Sequence, residues 1–600
     1  MSNKYNTGSR KKNTVAETRT KTESFFLLLP LLLIVTVLPL IVKAHDYNTG
    51  LSIFDWFPKS DGFTDFFLYY KQWFFVTICG VILLIICFRA FTDKKTLKFK
   101  PIFIPLGTYA FLALLSTIVS KYSKFGYTGM FEQFENVFAL LGYALVVYYA
   151  FLIIRTEDEV TLMVDALAVG ALILCTIGAF QAFGLDMYAS SYEITMEKGR
   201  TYASLYNPNY VGVYTSFLIP MFSVILINAK KLYQFVLYGL VLITSVISLF
   251  GSQSKAGFAS ILVAALFILI FLRKQLLKKW KIIVPIVVII IGSFFVVNKI
   301  NNNAFINAIK YVFNTTKLPE PNLTSIETKE DGVYVTYKGN VLKATIIIED
   351  NTIMYSAVDS NDNPIDFTIA DDGYTYQFTD ERFAGITMSP ALYDDVYAFC
   401  LNIENRAWYF TNFTESGEYE YFNRYGNLSK IQTPETAVFD GYENLATNRG
   451  YIWSRTIPLL KDYIFLGSGA DTFAIAFPQY DYVGFHNYGY WENLVTKPHS
   501  LYLQIAVQTG VISLIAFLVF YIMYFISCIK LYINDKSNSK LTYIGIAIFV
   551  GTISYMISAI SNDSSITVAP VFWAVIGVGI AVNQIVKQNN LESKILDERK

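Results

Sequence analysis

The chain is apolar through most of residues 25–297 and again through 501–586, and between the two lies one long stretch rich in Tyr, Asp and Asn. That alternation constrains the fold more than any single motif does. A helix needs about 20 apolar residues to cross a bilayer. Of the 600 residues 54% are hydrophobic and only 16% are charged. A water-soluble body could not solvate that much apolar surface, whereas a lipid-embedded one can. The formal net charge is +1, so bulk charge argues neither for nor against nucleic acid, and none is expected as a partner.

The apolar runs give about twelve spanning candidates. They lie near 25–42, 73–90, 102–119, 134–154, 161–183, 209–228, 232–250, 256–272, 282–298, 501–529, 541–560 and 565–586. The arm before the first run carries Lys4, Arg10, Lys11, Lys12, Arg19 and Lys21 with no small-residue cleavage site after it, which reads as an uncleaved first helix. With that arm in the cytoplasm, the basic loops at 89–100, 155, 230–231, 273–281 and 530–540 and the tail at 587–600 all fall on the cytoplasmic side. The expected fold is an all-α polytopic membrane protein, N-in and C-in, with an inserted extracytoplasmic β-rich domain. Its expected parts are a disordered arm at 1–24, helices at 25–298, the insert at 299–445, a helical and loop segment at 446–500, helices at 501–586 and a tail at 587–600. All three histidines, His45, His486 and His499, fall on the outer side.

Within the polar stretch the periodicity changes. Val333–Tyr337, Ala344–Ile348, Tyr374–Phe378 and Ala407–Phe410 are β-branched and aromatic runs, and Gly339-Asn340 and Asp350-Asn351 break them. The pattern predicts a small antiparallel sheet or sandwich. Residues 301–448 hold 22 acidic and 9 basic side chains. Solvation of a translocated domain explains such a surface. The other reading is an aromatic, acidic face that holds a saccharide, because Tyr and Trp stack on sugar rings. Cys400 is alone there and the other four cysteines lie in apolar runs, so neither a disulfide in that region nor a metal site is expected, and no cofactor is implied.

Four segments carry candidate chemistry. Arg200 precedes Asn207-Pro208-Asn209, which reads as a turn with a cap that starts a helix. Arg200 itself opposes the outer-side charge bias, and it suits either a salt bridge or an anion, since its fork of donors matches phosphate oxygens. Lys255 is the only charge in the tight Gly251–Gly257 turn. It either snorkels to the interface or faces a lipid-linked phosphate. Arg449 and Trp453 are four apart and share a helix face, with Gly467 and Gly469 following as a close-approach or helix-end signal. His499 opens the return into the membrane through Lys497-Pro498-His499-Ser500. It is either an interfacial, hydrogen-bonded histidine or a base, since imidazole takes a proton near neutral pH. His486 is the second candidate base.

Taken together, these segments resemble the O-antigen ligase and Wzy-type polysaccharide polymerase superfamily of bacterial membrane glycosyltransferases. The resemblance rests on Arg200 with Asn207-Pro208-Asn209, on Ser254-Lys255-Ala256-Gly257, on Arg449-xxx-Trp453 with Gly467-x-Gly469, and on His499-Ser500-Leu501-Tyr502-Leu503-Gln504 followed by Gly510. It covers roughly residues 100–580. It implies transfer of a glycan from an undecaprenyl-diphosphate donor to a saccharide or lipid acceptor hydroxyl, outside the cytoplasmic membrane and without nucleotide or metal. It places Arg200 and Lys255 on the diphosphate, His499 as base, and Arg449, Asn207 and Asn209 at the substrate. Two positions depart from the family pattern: Lys255 stands where many members have Arg, and Ser500 follows the histidine where many have Asn. Ligases and polymerases share these motifs. A lipid-linked glycan transporter and a non-catalytic assembly partner are the rival readings. Deep ionisable residues, which mark many transporter sites, are nearly absent here, and Asp165 lies close to a helix end.

Overall fold

The computed structural model describes residues 20–92, 97–192, 200–278, 317–349, 352–491, 493–533 and 539–598, together with 295, 299, 303 and 306. Residues 1–19 of the expected disordered arm and nearly all of the expected span at 282–298 therefore lie outside the described residues, whereas 20–24, expected to be disordered, are the start of the first helix, where Thr20 and Glu23 form a capping box. Among those described, nine helices are long and apolar enough to cross a membrane. They are Lys21–Leu40, Tyr69–Thr92, Glu157–Ala182, Pro208–Ile227, Leu232–Ser252, Lys255–Lys278, Val511–Tyr532, Lys540–Ser561 and Ala569–Ser593. Two shorter apolar helices, Phe103–Val119 and Val137–Ile153, pack among them.

Composition sorts these helices into inner and outer ones. Pro208–Ile227, Lys540–Ser561 and Ala569–Ser593 are enclosed by protein on most sides. Tyr69–Thr92 and Lys255–Lys278 instead present Leu84, Phe88, Leu262 and Leu266 outward. Exposed apolar surface on that scale has lipid as its natural solvent. Pro208–Ile227 packs against Lys540–Ser558 and Leu232–Ser252, and Ala569–Glu598 packs against Val137–Ile153. There the backbone of Val147 sits 3.0 Å from where a Cβ on Gly577 would be, an approach that only a small residue permits.

One expected span is two helices. The 501–529 run breaks at Gly510, whose φ of 103° separates Leu501–Thr509 from Val511–Tyr532. An L-residue rarely adopts that backbone, and no hydropathy window registers it. The first of the two is too short to span and reaches the 562–564 turn instead, where the Leu501 N–H donates to the Asn562 carbonyl (2.8 Å).

The polar stretch forms two antiparallel meanders. Four strands run Leu323–Lys329, Gly332–Tyr337, Asn340–Glu349 and Thr352–Asp359. Seven more, from Phe367–Ile369 to Leu428–Ser429, pair in sequence order. Tyr337 pairs with Asn340 across Lys338 and Gly339, both at positive φ, as a two-residue hairpin with right-handed strand twist demands. The inner faces of both sheets share one apolar core with Tyr451, Phe473, Tyr482, Phe485 and Val507 of the segment that follows. Trp408 is fully buried against Trp491 (4.9 Å) and His486 (5.8 Å). The Asn423 and Asn427 amides reach the carbonyls of Asp55 and Phe57 (2.7–2.9 Å), so the sheet also grips the loop after the first helix.

Candidate functional site

His499 stands one residue outside the Leu501–Thr509 helix, with its backbone at φ +49°. A non-glycine residue in that region is strained and needs its surroundings to hold it. Three contacts do so. The Trp453 indole N–H donates to the Pro498 carbonyl at 2.9 Å. The Ser500 N–H donates to Asp563 Oδ1 at 3.2 Å. Asp563 Oδ2 lies 3.1 Å from His499 Nδ1. The Asp563 side chain is 2% exposed and the imidazole 37%, so the carboxylate is the buried member of the pair and the ring is the accessible one. An Nδ1–H engaged by a carboxylate fixes the tautomer and leaves Nε2 to accept a proton.

A buried carboxylate is costly unless positive groups face it. Burial alone would raise the Asp563 carboxyl, but His499, Lys497 and Arg449 outweigh burial and hold it below the ordinary carboxylate value. Lys497 is itself buried. It pairs with Glu132 (3.6 Å) and lies over the rings of Tyr206 (5.2 Å) and Tyr210 (5.7 Å). Burial pulls its ammonium down, yet Tyr210, Glu132, Tyr206 and Asp563 together leave it above its usual range. The Thr496 hydroxyl donates to the same Glu132 carboxylate at 2.6 Å.

Arg449 faces this pair, and two further cations from separate segments, Arg200 and Lys255, lie within electrostatic reach of Arg449. Arg449 begins the regular part of the Leu445–Leu459 helix, after a kink at Ala446, Thr447 and Asn448. Burial draws its guanidinium down, Asp563 and Tyr490 pull it back up and Arg200 opposes it, with the net below its ordinary value. Lys255 follows a left-handed Gln253 (φ 55°) that ends the preceding helix, and its ammonium donates to the Thr447 hydroxyl at 3.4 Å. Arg449 and Arg200 both lie within electrostatic reach of Lys255. Arg200 donates Nε and Nη2 to the Ser252 carbonyl at 3.1 and 2.9 Å, so it also closes the C-terminal end of Leu232–Ser252. Like charges gathered at one end of a helical bundle repel one another, and an anion carrying several charges relieves that repulsion.

The structure thus brings Arg200, Lys255, Arg449 and His499 into one charged cluster. Asn207 has a helix-cap contact: its Oδ1 accepts the Asn209 N–H at 2.8 Å. The segment touches the cluster through Tyr206 and Tyr210, not through its amides. His486 lies elsewhere, 3.6 Å from Glu404 and packed edge-on against Trp408 and Trp491, where burial draws its imidazole down. His45 stacks on Tyr69 at 3.5 Å. Asp563 and Lys497 are cluster members that sequence reasoning did not pick out. A lone acid in the short turn between two apolar runs was the available signal for Asp563. For Lys497 it was the Lys-Pro-His order itself. Among the described residues no group of three or more His, Cys, Asp or Glu is placed to hold a metal ion.

Residues 407–518 match the family model described as O-antigen ligase. The matched stretch contains Arg449, Trp453, Gly467, Gly469 and His499 and ends before Asp563. No curated protein and no solved structure matches the chain significantly. The stretch 407–518 is thus similar to that family, in a chain that has nine helices among its described residues long and apolar enough to cross a membrane.

Proposed function

We propose that this O-antigen ligase family chain transfers or polymerises a glycan from an undecaprenyl-diphosphate donor onto an acceptor hydroxyl at the outer face of the cytoplasmic membrane. The observation that carries the reading is the His499–Asp563 pair set among Arg200, Lys255 and Arg449. His499 Nε2 accepts the acceptor's hydroxyl proton as the hydroxyl oxygen bonds to the anomeric carbon. The bond from that carbon to the diphosphate oxygen breaks, and its electron pair leaves on the lipid diphosphate. The proton rests on the imidazole, and Asp563 stabilises the imidazolium. Arg200, Lys255 and Arg449 meet the charge that grows on the leaving diphosphate. That group leaves readily, so the step needs no general acid.

The far end of the bundle supports the assigned orientation. Lys98 and Lys587 lie within electrostatic reach of Lys100 there, and Lys540 donates to Thr161 at 2.6 Å. Basic residues in the short loops that flank spans are the mark of a cytoplasmic face, whereas the cations on the His499 side face a buried carboxylate. The test is transfer by the purified full-length protein in lipid nanodiscs supplied with lipid-linked glycan. The His499→Ala protein is expected to lose roughly 10²–10⁴-fold in rate, the usual worth of a positioned base. Full transfer by that variant would remove His499 from the mechanism.

A further inference from the structure

Glu135 lies 364 residues before His499, in the loop that leads into Val137–Ile153, and its side chain is buried at 1% exposure. Three donors converge on its carboxylate. Oε1 accepts from the Ser564 and Tyr143 hydroxyls, each at 2.5 Å, and Oε2 accepts from the Gln504 amide at 3.1 Å. The Gln504 carbonyl oxygen in turn accepts the Ser564 N–H at 2.7 Å, so Glu135, Gln504 and Ser564 close a ring. Gln504 is on the helix that His499 precedes, and Ser564 directly follows Asp563.

The members of the His499–Asp563 pair therefore sit on separate segments, and both segments donate to the same buried carboxyl group. The anchor is itself fixed, because the Glu135 N–H and the Met130 N–H both donate to Asp471 Oδ2, at 3.1 and 2.5 Å. A packing role alone would be served as well by apolar side chains, since a buried charge is weak evidence for stability. What the carboxylate adds is direction: it takes one hydrogen bond from each of two segments and sets their register.

We propose that Glu135 is a positioning residue, whose carboxylate clamps the His499 helix and the Asp563 turn together and so sets the imidazole–carboxylate geometry. The inference rests on His499 being the base. Small displacements of a reacting group cost roughly 10²-fold in rate. In nanodiscs, the Glu135→Gln protein is expected to lose roughly that factor in kcat, with KM for the lipid-linked donor unchanged. In an Asp563→Asn background the same substitution is expected to cost less than about twofold, because the pair it positions is already broken. Ser564→Ala removes a single hydroxyl and serves if Glu135→Gln does not fold. It is expected to lose about tenfold in kcat, with the same dependence on Asp563. An unchanged kcat, a loss that appears in KM, or an equal loss with and without the Asp563 carboxylate would overturn the proposal. His499→Ala run alongside separates the two ideas: full activity there removes the base itself, whereas an inactive His499→Ala beside a fully active Glu135→Gln removes only the clamp.

Discussion

The indole nitrogen of Trp453 and the carbonyl oxygen of Pro498 are 2.9 Å apart, and this one hydrogen bond ties the helix that bears Arg449 to the residue before His499. A cation and the imidazole, 50 positions apart in sequence, thereby share a common frame. Trp453→Phe keeps an aromatic ring, though a smaller one, and removes the donor. We expect transfer to fall about five- to tenfold, the worth of one neutral hydrogen bond, with donor KM within twofold of the parent. Steady-state kinetics on lipid-linked glycan check this, and a parental kcat would show that the bond is incidental.

Under the proposed function the three cations divide the donor's charge among them. Lys255→Ala is expected to raise donor KM about tenfold, as loss of one charge-assisted contact does. Lys255→Arg should match or surpass the parent, because a planar fork meets phosphate oxygens more completely than a point charge does. Arg449→Ala should weaken donor binding in the same direction as Lys255→Ala. Titration with lipid diphosphate lacking sugar reads these affinities directly, and three parental values would dissociate the cluster from the donor.

Asp471 makes a pH prediction. Burial pushes its carboxyl up from the ordinary value to about 8, the N–H groups of Met130 and Glu135 pull it down, and the Glu135 charge raises it again. Its Oδ1 is buried without a partner. Between pH 4 and pH 8 the folded protein holds a proton that the unfolded chain has released. Stability from this group is thus fully present below the ordinary carboxylate range and is lost as pH rises through about 8. Asp471→Asn mimics the protonated acid and keeps an oxygen for both N–H donors. Its thermal midpoint is expected to exceed the parent's by more at pH 8 than at pH 5, measured by tryptophan fluorescence in detergent. A constant gap between the two proteins at both pH values would reject the titration.

Much of the architecture was legible because its signals are local. Apolar length marked the nine membrane-competent helices among the described residues, and alternation marked the strands at 332–337, 340–349 and 406–411. Gly467 was legible as a close approach, and it is one: a Cβ there would stand 2.1 Å from the Gln508 carbonyl carbon. Gly510 was not read as a break, because its backbone angle leaves no trace in hydropathy. In the charged cluster, His499, Arg200, Lys255 and Arg449 announced themselves as ionisable groups at membrane boundaries. Asp563, Lys497 and Glu135 did not, because their meaning lies in partners on other segments, 64 positions away for Asp563 and His499, 365 for Lys497 and Glu132 and 369 for Glu135 and Gln504. An acid in a turn reads as solvated until the fold buries it beside an imidazole.

The shared core of the two meanders and the helical segment has a practical corollary. The matched family stretch opens at residue 407, inside the seven-stranded sheet, so its border runs through a β-ladder. Excising the strands would strip the cover from Tyr451 and Phe485 and release the loop at Asp55–Phe57. Engineers who want a minimal version of this protein should leave the sheet in place and trim hairpin tips instead, for it serves as the scaffold on which the imidazole-bearing loop is hung.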